Sequence, residues 1–472
     1  MVFNSLLFAV FLGVVLLLYY RLPHRGQNHL LLIASYVFYG AWDWRFLSLI
    51  WISTTVDWWA GLHLDESKSP AYRKRVLFLS CLFNLGFLGV FKYYGFFATS
   101  FLALAGWFGW HPQIRLLHIV LPIGISFYTF QSMSYTIEVY RKHLKPSRNL
   151  LEYATFVAFF PHMVAGPIMR ATSLLPQVQK PRVITRAHIV EGLRLMLWGL
   201  YKKMVIADNM ALIVDPIFAR PGPYTFGETF VGVLAFAFQI YGDFSGYSDI
   251  ARGTASLMGF ELIVNFDLPY FATSPQDFWR RWHISLSTWL RDYLYVSLGG
   301  NQKGRVRTYV NLMLTMLLGG LWHGASWTFV CWGAYHGTLL AGHRAIGEWR
   351  GERPAPSAWR ARAGWLLSVG FMFVLTLYGW LLFRCHTFHQ IAGMTRALFL
   401  GPLDAGSLRH LVTIAFFTLP LVVVQCVQYF RDDLDFWRQV PVWAQTAFYL
   451  FCLYSIFLFG AFRGAAFIYF QF

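Results

Sequence analysis

MVFNSLLFAVFLGVVLLLYY, residues 1–20, carries no charged side chain. Coiled as a helix, it would be about 30 Å long, the thickness of a bilayer's hydrocarbon core. The stretch has neither the basic start nor the small-residue cleavage site of a secretory leader, so it reads as a retained first membrane helix. Apolar runs of similar length recur near residues 30–62 (enough for two helices), 76–108, 117–138, 190–213, 228–248, 308–343 (again two), 363–384, 410–430 and 442–464. The expected fold class is therefore all-α: a polytopic integral membrane protein with roughly 11–12 transmembrane helices.

Composition agrees. Hydrophobic residues make up 57% of the 472 positions and charged residues only 13%, against about 25% charged in soluble domains. The five cysteines lie far apart, which excludes a close-spaced metal knuckle or redox pair and leaves them as packing residues. The net charge of +17 sits in short islands between apolar runs, at 21–25, 68–75, 141–148, 180–186, 280–307 and 350–362. Islands that alternate in this way orient a membrane chain, cytoplasmic side positive, and do not form a nucleic-acid surface. No repeat and no long linker divides residues 1–472, which are expected to form a single membrane domain.

LEYATFVAFFPHMVAGPIM, 151–169, is broken by Pro161, Gly166 and Pro167, and is expected to be re-entrant and enclosed by protein. Polar groups inside apolar runs are costly enough that each raises a functional question. In QIYGDFSGYSDIARG, 239–253, Asp243, Ser245, Ser248 and Asp249 end an otherwise apolar helix, and Gly242 and Gly246 would admit another backbone. The competing reading is a polar helix end at the interface.

The stretch from Asp277 to Tyr295 can be laid on one interfacial helix. Trp279, Trp282, Leu286, Trp289, Leu290 and Tyr293 would then line one face, and Arg281, Ser285, Thr288 and Asp292 the other. His283 falls at the border between them, where a histidine is either an interface residue or a catalyst. In LGGLWHGASW, 318–327, His323 has very apolar surroundings; desolvation keeps such an imidazole neutral, as a general base requires. Gly319, Gly320 and Gly324 would leave room beside its ring; a packing histidine is the alternative. His336, in CWGAYHG, is a weaker neighbour. No serine-hydrolase elbow, Walker or dinucleotide glycine pattern occurs, and His386 with His389 lacks further metal ligands.

Eight segments together resemble the membrane-bound O-acyltransferase family, in its bacterial branch that contains the membrane subunit of alginate O-acetyltransferase. They are SYVFYGAWDWRF (35–46), PIGISFYTFQSMSYTIEVYR (122–141), FVAFFPHMVAGPIMR (156–170), KKMVIADN (202–209), QIYGDFSGYSDIARG (239–253), FWRRWHISLSTWLRDYLYVSLGGNQKG (278–304), LTMLLGGLWHGASWTFVCWGAYHG (314–337) and FIYFQF (467–472). The chain departs from the family's pattern at Gly242, usually aromatic, and at Arg252, usually aliphatic.

The resemblance implies several expectations. His323 corresponds to the buried catalytic base, and His283, 40 residues upstream, to a second catalytic position. Acetyl-CoA would be the donor substrate, with no bound cofactor and no metal. Trp279, Arg280, Arg281, Trp282, Lys303 and Arg305, with Arg307 nearby, would form a cytoplasmic donor-binding mouth; the same charges also serve topology. Asp243, Ser245, Asp249, Trp322, Ser326 and His336 would line or support a tunnel enclosed by the helices. The protein would lie in a bacterial inner membrane and acetylate an exported polysaccharide, alginate first and cellulose or peptidoglycan as alternatives. A periplasmic SGNH-type partner with a serine nucleophile would complete the transfer, since the longest outer loop, 385–410, is short. A proton-coupled transporter, which would show repeated halves, and a polysaccharide-export scaffold, which would not need His323, are the rivals.

Overall fold

The computed structural model describes the whole chain except residues 65–67, 115, 118, 165, 351–357, 403–405, 462–467 and 469–472. The described residues are helices and connections, with no strand among them. Each apolar run of the sequence corresponds to a helix: Leu6–Tyr19, His24–Asp43, Leu47–His63, Pro70–Leu88 running on to Trp107, Ile125–Tyr140, Arg186–Leu200, Phe226–Leu257, Arg305–His323, Trp327–Arg350, Ala358–Arg384, Gly406–Arg431 and Val442–Phe459. Among the described residues, four satisfy a strict length and composition test for crossing a membrane: Pro70–Trp107, Arg362–Arg384, Gly406–Arg431 and Val442–Phe459. Several of the others dilute their hydropathy with buried polar residues, which only protein contacts make tolerable.

The chain forms two compact units, 1–196 with 250–263, and 197–249 with 264–472. The helix Phe226–Leu257 contributes to both, changing unit after Asp249.

In the first unit, Ile125–Tyr140 is buried almost all round, as a central helix must be. Ser69 starts Pro70–Leu88 by accepting a hydrogen bond from the Tyr72 backbone N–H, with Pro70 at the first helical position. Leu6, Leu7, Val10, Val14 and Leu17 are exposed along Leu6–Tyr19, a surface suited to lipid. The 151–169 stretch is enclosed as expected: helix Leu150–Ala158 breaks at Phe159, a four-residue turn Phe160–Met163 follows, and nearly every described residue is buried. His162 within it shares a 2.6 Å hydrogen bond with Gln131 Oε1.

A buried carboxylate that the sequence reading passed over organises this unit. Asp57 accepts from Ser80 Oγ at 2.6 Å, Ser132 Oγ at 2.5 Å, and Asn84 Nδ2 at 2.8 and 3.0 Å. Four hydrogen bonds from three donor groups on two neighbouring helices offset its desolvation. Two arginines of the basic islands are likewise structural. Arg73 donates to the Leu64 and Tyr140 carbonyls, and Arg182 to Asn28 Oδ1 and Gln27 Oε1.

In the second unit, the chain between Leu200 and Asp208 winds as a π-helix, Tyr201–Ala207, packed against Phe226–Leu257. A Cβ at Gly242 would lie 2.9 Å from the Lys202 carbonyl oxygen, and one at Gly246 2.8 Å from that of Gly199. Both glycines therefore admit a backbone, and an aromatic at 242 has no room here. The loop expected at 385–410 is mostly a helix, Phe388–Leu400, capped by Thr387, whose hydroxyl accepts from the Gln390 N–H. Of the basic island at 350–362, residues 351–357 lie outside the described residues, as does most of 467–472.

Candidate active site

The second unit brings His283, His323 and His336 into one cluster of rings. His323 is the last residue of Arg305–His323, and Trp327–Arg350 starts after a three-residue turn. These two helices approach closely because both are glycine-bearing at the crossing. A Cβ on Gly320 would lie 3.1 Å from Gly333 Cα, and one on Gly333 3.0 Å from Leu317 Cα. The glycines next to His323 thus serve helix packing: Gly319 faces Leu290 and Gly324 faces the Phe329 ring, correcting the expectation that they leave space beside the imidazole. Rings supply the surroundings of His323, with Trp332 at 5.0 Å, Trp322 at 5.1 Å and Phe383 at 5.5 Å between centroids.

The helix expected from Asp277 to Tyr295 is broken. Pro275–Arg281 ends, Trp282 is extended, and His283 takes a left-handed conformation at φ +43° before Ile284–Trp289 begins; a π-helix, Leu290–Tyr295, follows. A left-handed conformation is uncommon for a side chain bearing a Cβ and is concentrated at functional sites. The cause lies elsewhere in the chain, at Asn265. Its Oδ1 accepts from the Ser285 N–H at 3.1 Å and Ser285 Oγ at 2.9 Å, and its backbone carbonyl accepts from the Ile284 N–H at 3.0 Å. His283 Nδ1 lies 3.3 Å from the same Oδ1, a long contact.

Because Ser285 N–H is necessarily a donor, Oδ1 is the acceptor end of the amide, and Nδ1 must carry the proton toward it. Nε2 then holds the lone pair of the neutral ring. Burial pushes the His283 pKa down to about 3, so this neutral form persists across physiological pH. The expected face assignments change with the break. Ser285 is buried on Asn265 instead of lining a polar face, and His283 is fully buried instead of sitting at a border.

Asn265→Ala is expected to lower the thermal unfolding midpoint of the detergent-solubilised protein. It leaves the Ser285 donors and His283 Nδ1 without their acceptor, at a cost of about 1–3 kcal/mol per buried unsatisfied group. An unchanged midpoint would mean that the amide does not hold the His283 turn.

The imidazoles of His283 and His323 face each other with centroids 6.4 Å apart. Trp322 contacts both, at 6.0 and 5.1 Å, and Phe244 abuts His283 edge-on at 4.6 Å. Trp332 links His323 to His336, whose centroid is 4.6 Å from it. Ser326 bonds Thr328 Oγ1 at 2.8 Å and accepts from the Phe329 N–H, starting the second helix.

Asp243 and Asp249 of Phe226–Leu257 face the π-helix. They lie within the helix, which continues to Leu257, so the expected polar helix end is not what holds them. Lys203 Nζ sits 2.7 Å from Asp208 and 2.9 Å from Asp243, all three buried. Asp243 also accepts the Ile468 N–H at 2.7 Å. Lys202 reaches Asp249 at 2.7 Å and Ser245 at 3.0 Å. Lys202 and Lys203 went unweighed in the sequence because their partners are 40 or more residues away in the chain for three of the four contacts.

Of the expected donor-binding residues, Arg280, Lys303 and Arg305 are exposed, as is Arg307. Arg305 pairs with Glu348, and Arg281 pairs with Asp277 at 2.7 Å. Arg281 also borders an open pocket of about 340 Å³ whose lining includes Asp267, Asp432 and Asp433. Trp279 is partly buried and Trp282 fully so, the latter packed on Trp380 at 4.7 Å and Phe266 at 5.0 Å. Among the described residues, no group of three or more acidic, histidine or cysteine side chains is placed to hold a metal ion.

The sequence model of the membrane-bound O-acyltransferase family matches residues 41–387, a span that includes all three histidines. Over 444 residues the chain is 44% identical to a Pseudomonas putida protein named "Probable alginate O-acetylase AlgI", covering 93% of this chain and 88% of that one. It is 35% identical over 416 residues to the Helicobacter pylori "Peptidoglycan O-acetyltransferase", covering 81% and 77%. A weaker likeness, 29% over 237 residues, relates it to the Streptococcus thermophilus "Teichoic acid D-alanyltransferase", covering 46% and 55%.

Proposed function

Because the chain belongs to the membrane-bound O-acyltransferase family and is a multi-pass membrane acyltransferase, we propose that it passes an acetyl group from cytoplasmic acetyl-CoA across the inner membrane for O-acetylation of an exported polysaccharide, most simply alginate. The observation that carries this reading is the facing pair His283 and His323, buried among rings in an apolar enclosure. The names of the relatives support the chemistry and the class of acceptor.

His323 takes the proton of the acceptor hydroxyl as the oxygen attacks the thioester carbonyl, the C–S bond breaks, and the proton passes to the departing thiolate of coenzyme A. In the alternative route the His323 nitrogen takes the acetyl group, expelling the same thiolate, and hands it on to the hydroxyl. His283, its Nδ1–H turned to Asn265, presents the Nε2 lone pair and orients the reacting groups. The aromatic walls exclude water, which would otherwise hydrolyse the thioester. Exposed Arg280, Lys303 and Arg307 draw the phosphates of the donor to the cytoplasmic face. A tunnel that narrows near His323 brings the donor from one face to the acceptor from the other, and a periplasmic SGNH-type partner delivers the group to the sugar.

The test is acetyl transfer from radiolabelled acetyl-CoA in inside-out vesicles that enclose periplasmic extract together with alginate or with peptidoglycan fragments. Thiol release from acetyl-CoA coupled to label on alginate is the expected result. Label on peptidoglycan alone would replace the acceptor, and the absence of any thiol release above vesicles lacking the protein would overturn the donor.

A further inference from the structure

His336 has no task in the reaction just described, yet it lies one aromatic ring from His323. Trp332 contacts both imidazoles, and Trp279 meets His336 at 5.1 Å and Trp332 at 5.7 Å. Three polar atoms of this cluster are buried with no hydrogen-bond partner among the described residues: Nε1 of Trp279, Nε1 of Trp332 and Nδ1 of His336. Buried polar atoms are nearly always paired, so three in one knot of rings mark a place that something else completes. An indole N–H only donates, which requires the completing atom to be an acceptor.

The remaining rings against His336 are Phe278 and Tyr335, neither of them charged. A phosphate or carboxylate here would lose its hydration with no counter-ion in this ring cluster to offset it, whereas an amide, ester or hydroxyl oxygen would not. Trp332 is 1% exposed and His336 2%, so the place is built into the interior. On the helix Ala358–Arg384, Gly379 packs against the imidazole: a Cβ there would lie 3.1 Å from His336 Nε2. The glycine lets that helix pack closely on the Nε2 edge of the ring, so any added side chain there would press on the imidazole.

The geometry points to a substrate subsite in which the indole N–H groups of Trp279 and Trp332, with His336 Nδ1, hold a neutral oxygen of a substrate chain beside His323. The inference rests on the acyl-transfer reading. Two substrates carry such an oxygen: the amide-containing chain of a thioester donor and the hydroxylated acceptor.

Full-length protein in lipid nanodiscs, supplied with periplasmic extract as the source of the partner, separates them, with thiol release titrated against acetyl-CoA and against an alginate oligosaccharide. Trp279→Phe and Trp332→Phe keep the ring and remove only the N–H. Each is expected to raise one KM by about three- to tenfold, the worth of one neutral hydrogen bond, with a smaller fall in kcat. A raised KM for acetyl-CoA assigns the oxygen to the donor, and a raised KM for the oligosaccharide assigns it to the acceptor. Gly379→Ala, which crowds His336 without touching either indole, should raise the same KM and serves if a phenylalanine variant does not insert. An active parent whose KM values are both unchanged in the variants overturns the subsite alone. A parent that releases no thiol from acetyl-CoA overturns the functional reading, and the subsite with it.

Discussion

His323→Ala is expected to lower kcat for thiol release from acetyl-CoA by about 10²–10⁴-fold, the usual contribution of a general base. The side chain ends a tightly packed helix and is surrounded by Trp322, Trp332 and Phe383, so truncation also removes ring contacts. His323→Phe separates the two effects, because it refills much of the space without a titratable nitrogen. Inactive His323→Phe protein that inserts and elutes like the parent assigns the loss to chemistry. Turnover preserved in His323→Phe would make His323 a packing residue and assign the base to another group.

Lys203→Met is expected to destabilise the protein by about 3–5 kcal/mol, as removal of one partner from a buried ion network typically does. Among the described residues, Asp208 and Asp243 would remain buried with no other cation within ion-pair distance, and Asp243 would keep only the Ile468 N–H as a partner. Unfolding followed in detergent by titration with a denaturing surfactant measures the loss. Lys203→Met combined with Asp208→Asn and Asp243→Asn should recover much of it, because neutral isosteres no longer need the cation. Lys202→Met should cost less, since its partner Asp249 keeps 17% of its side chain exposed and can rehydrate. Equal stability of the Lys203→Met protein and the parent would show that the triad contributes nothing net.

The sites that sequence reasoning located share one property: their signal is local. Gly242 and Gly246 stood out against an apolar helix, and each admits a backbone. Pro161, Gly166 and Pro167 broke the 151–169 run where the helix ends, and His323 stood out through the apolar residues on both sides. The misses are partnerships. Nothing near Asn265 signals that its amide will shape the turn at His283, and nothing near Asp57 signals Ser132, 75 residues on. The break inside 277–295 was hidden for the same reason, because its tryptophan spacing satisfies a helix and only the Asn265 hydrogen bonds make the left-handed turn at His283 the better solution.

By itself, then, the sequence determined that this chain is helical, where its helices run, and that the polar residues at 243–249, 283 and 323 are exceptional. Those properties follow from the hydropathy of consecutive residues, which the bilayer reads segment by segment. The tertiary structure alone decided which histidines face each other, which lysine neutralises which aspartate, and that the glycines beside His323 are filled by neighbouring helices. Each of these depends on distances between segments far apart in the chain. A buried polar group takes whichever partner packing brings within about 3 Å, and no local pattern encodes that choice.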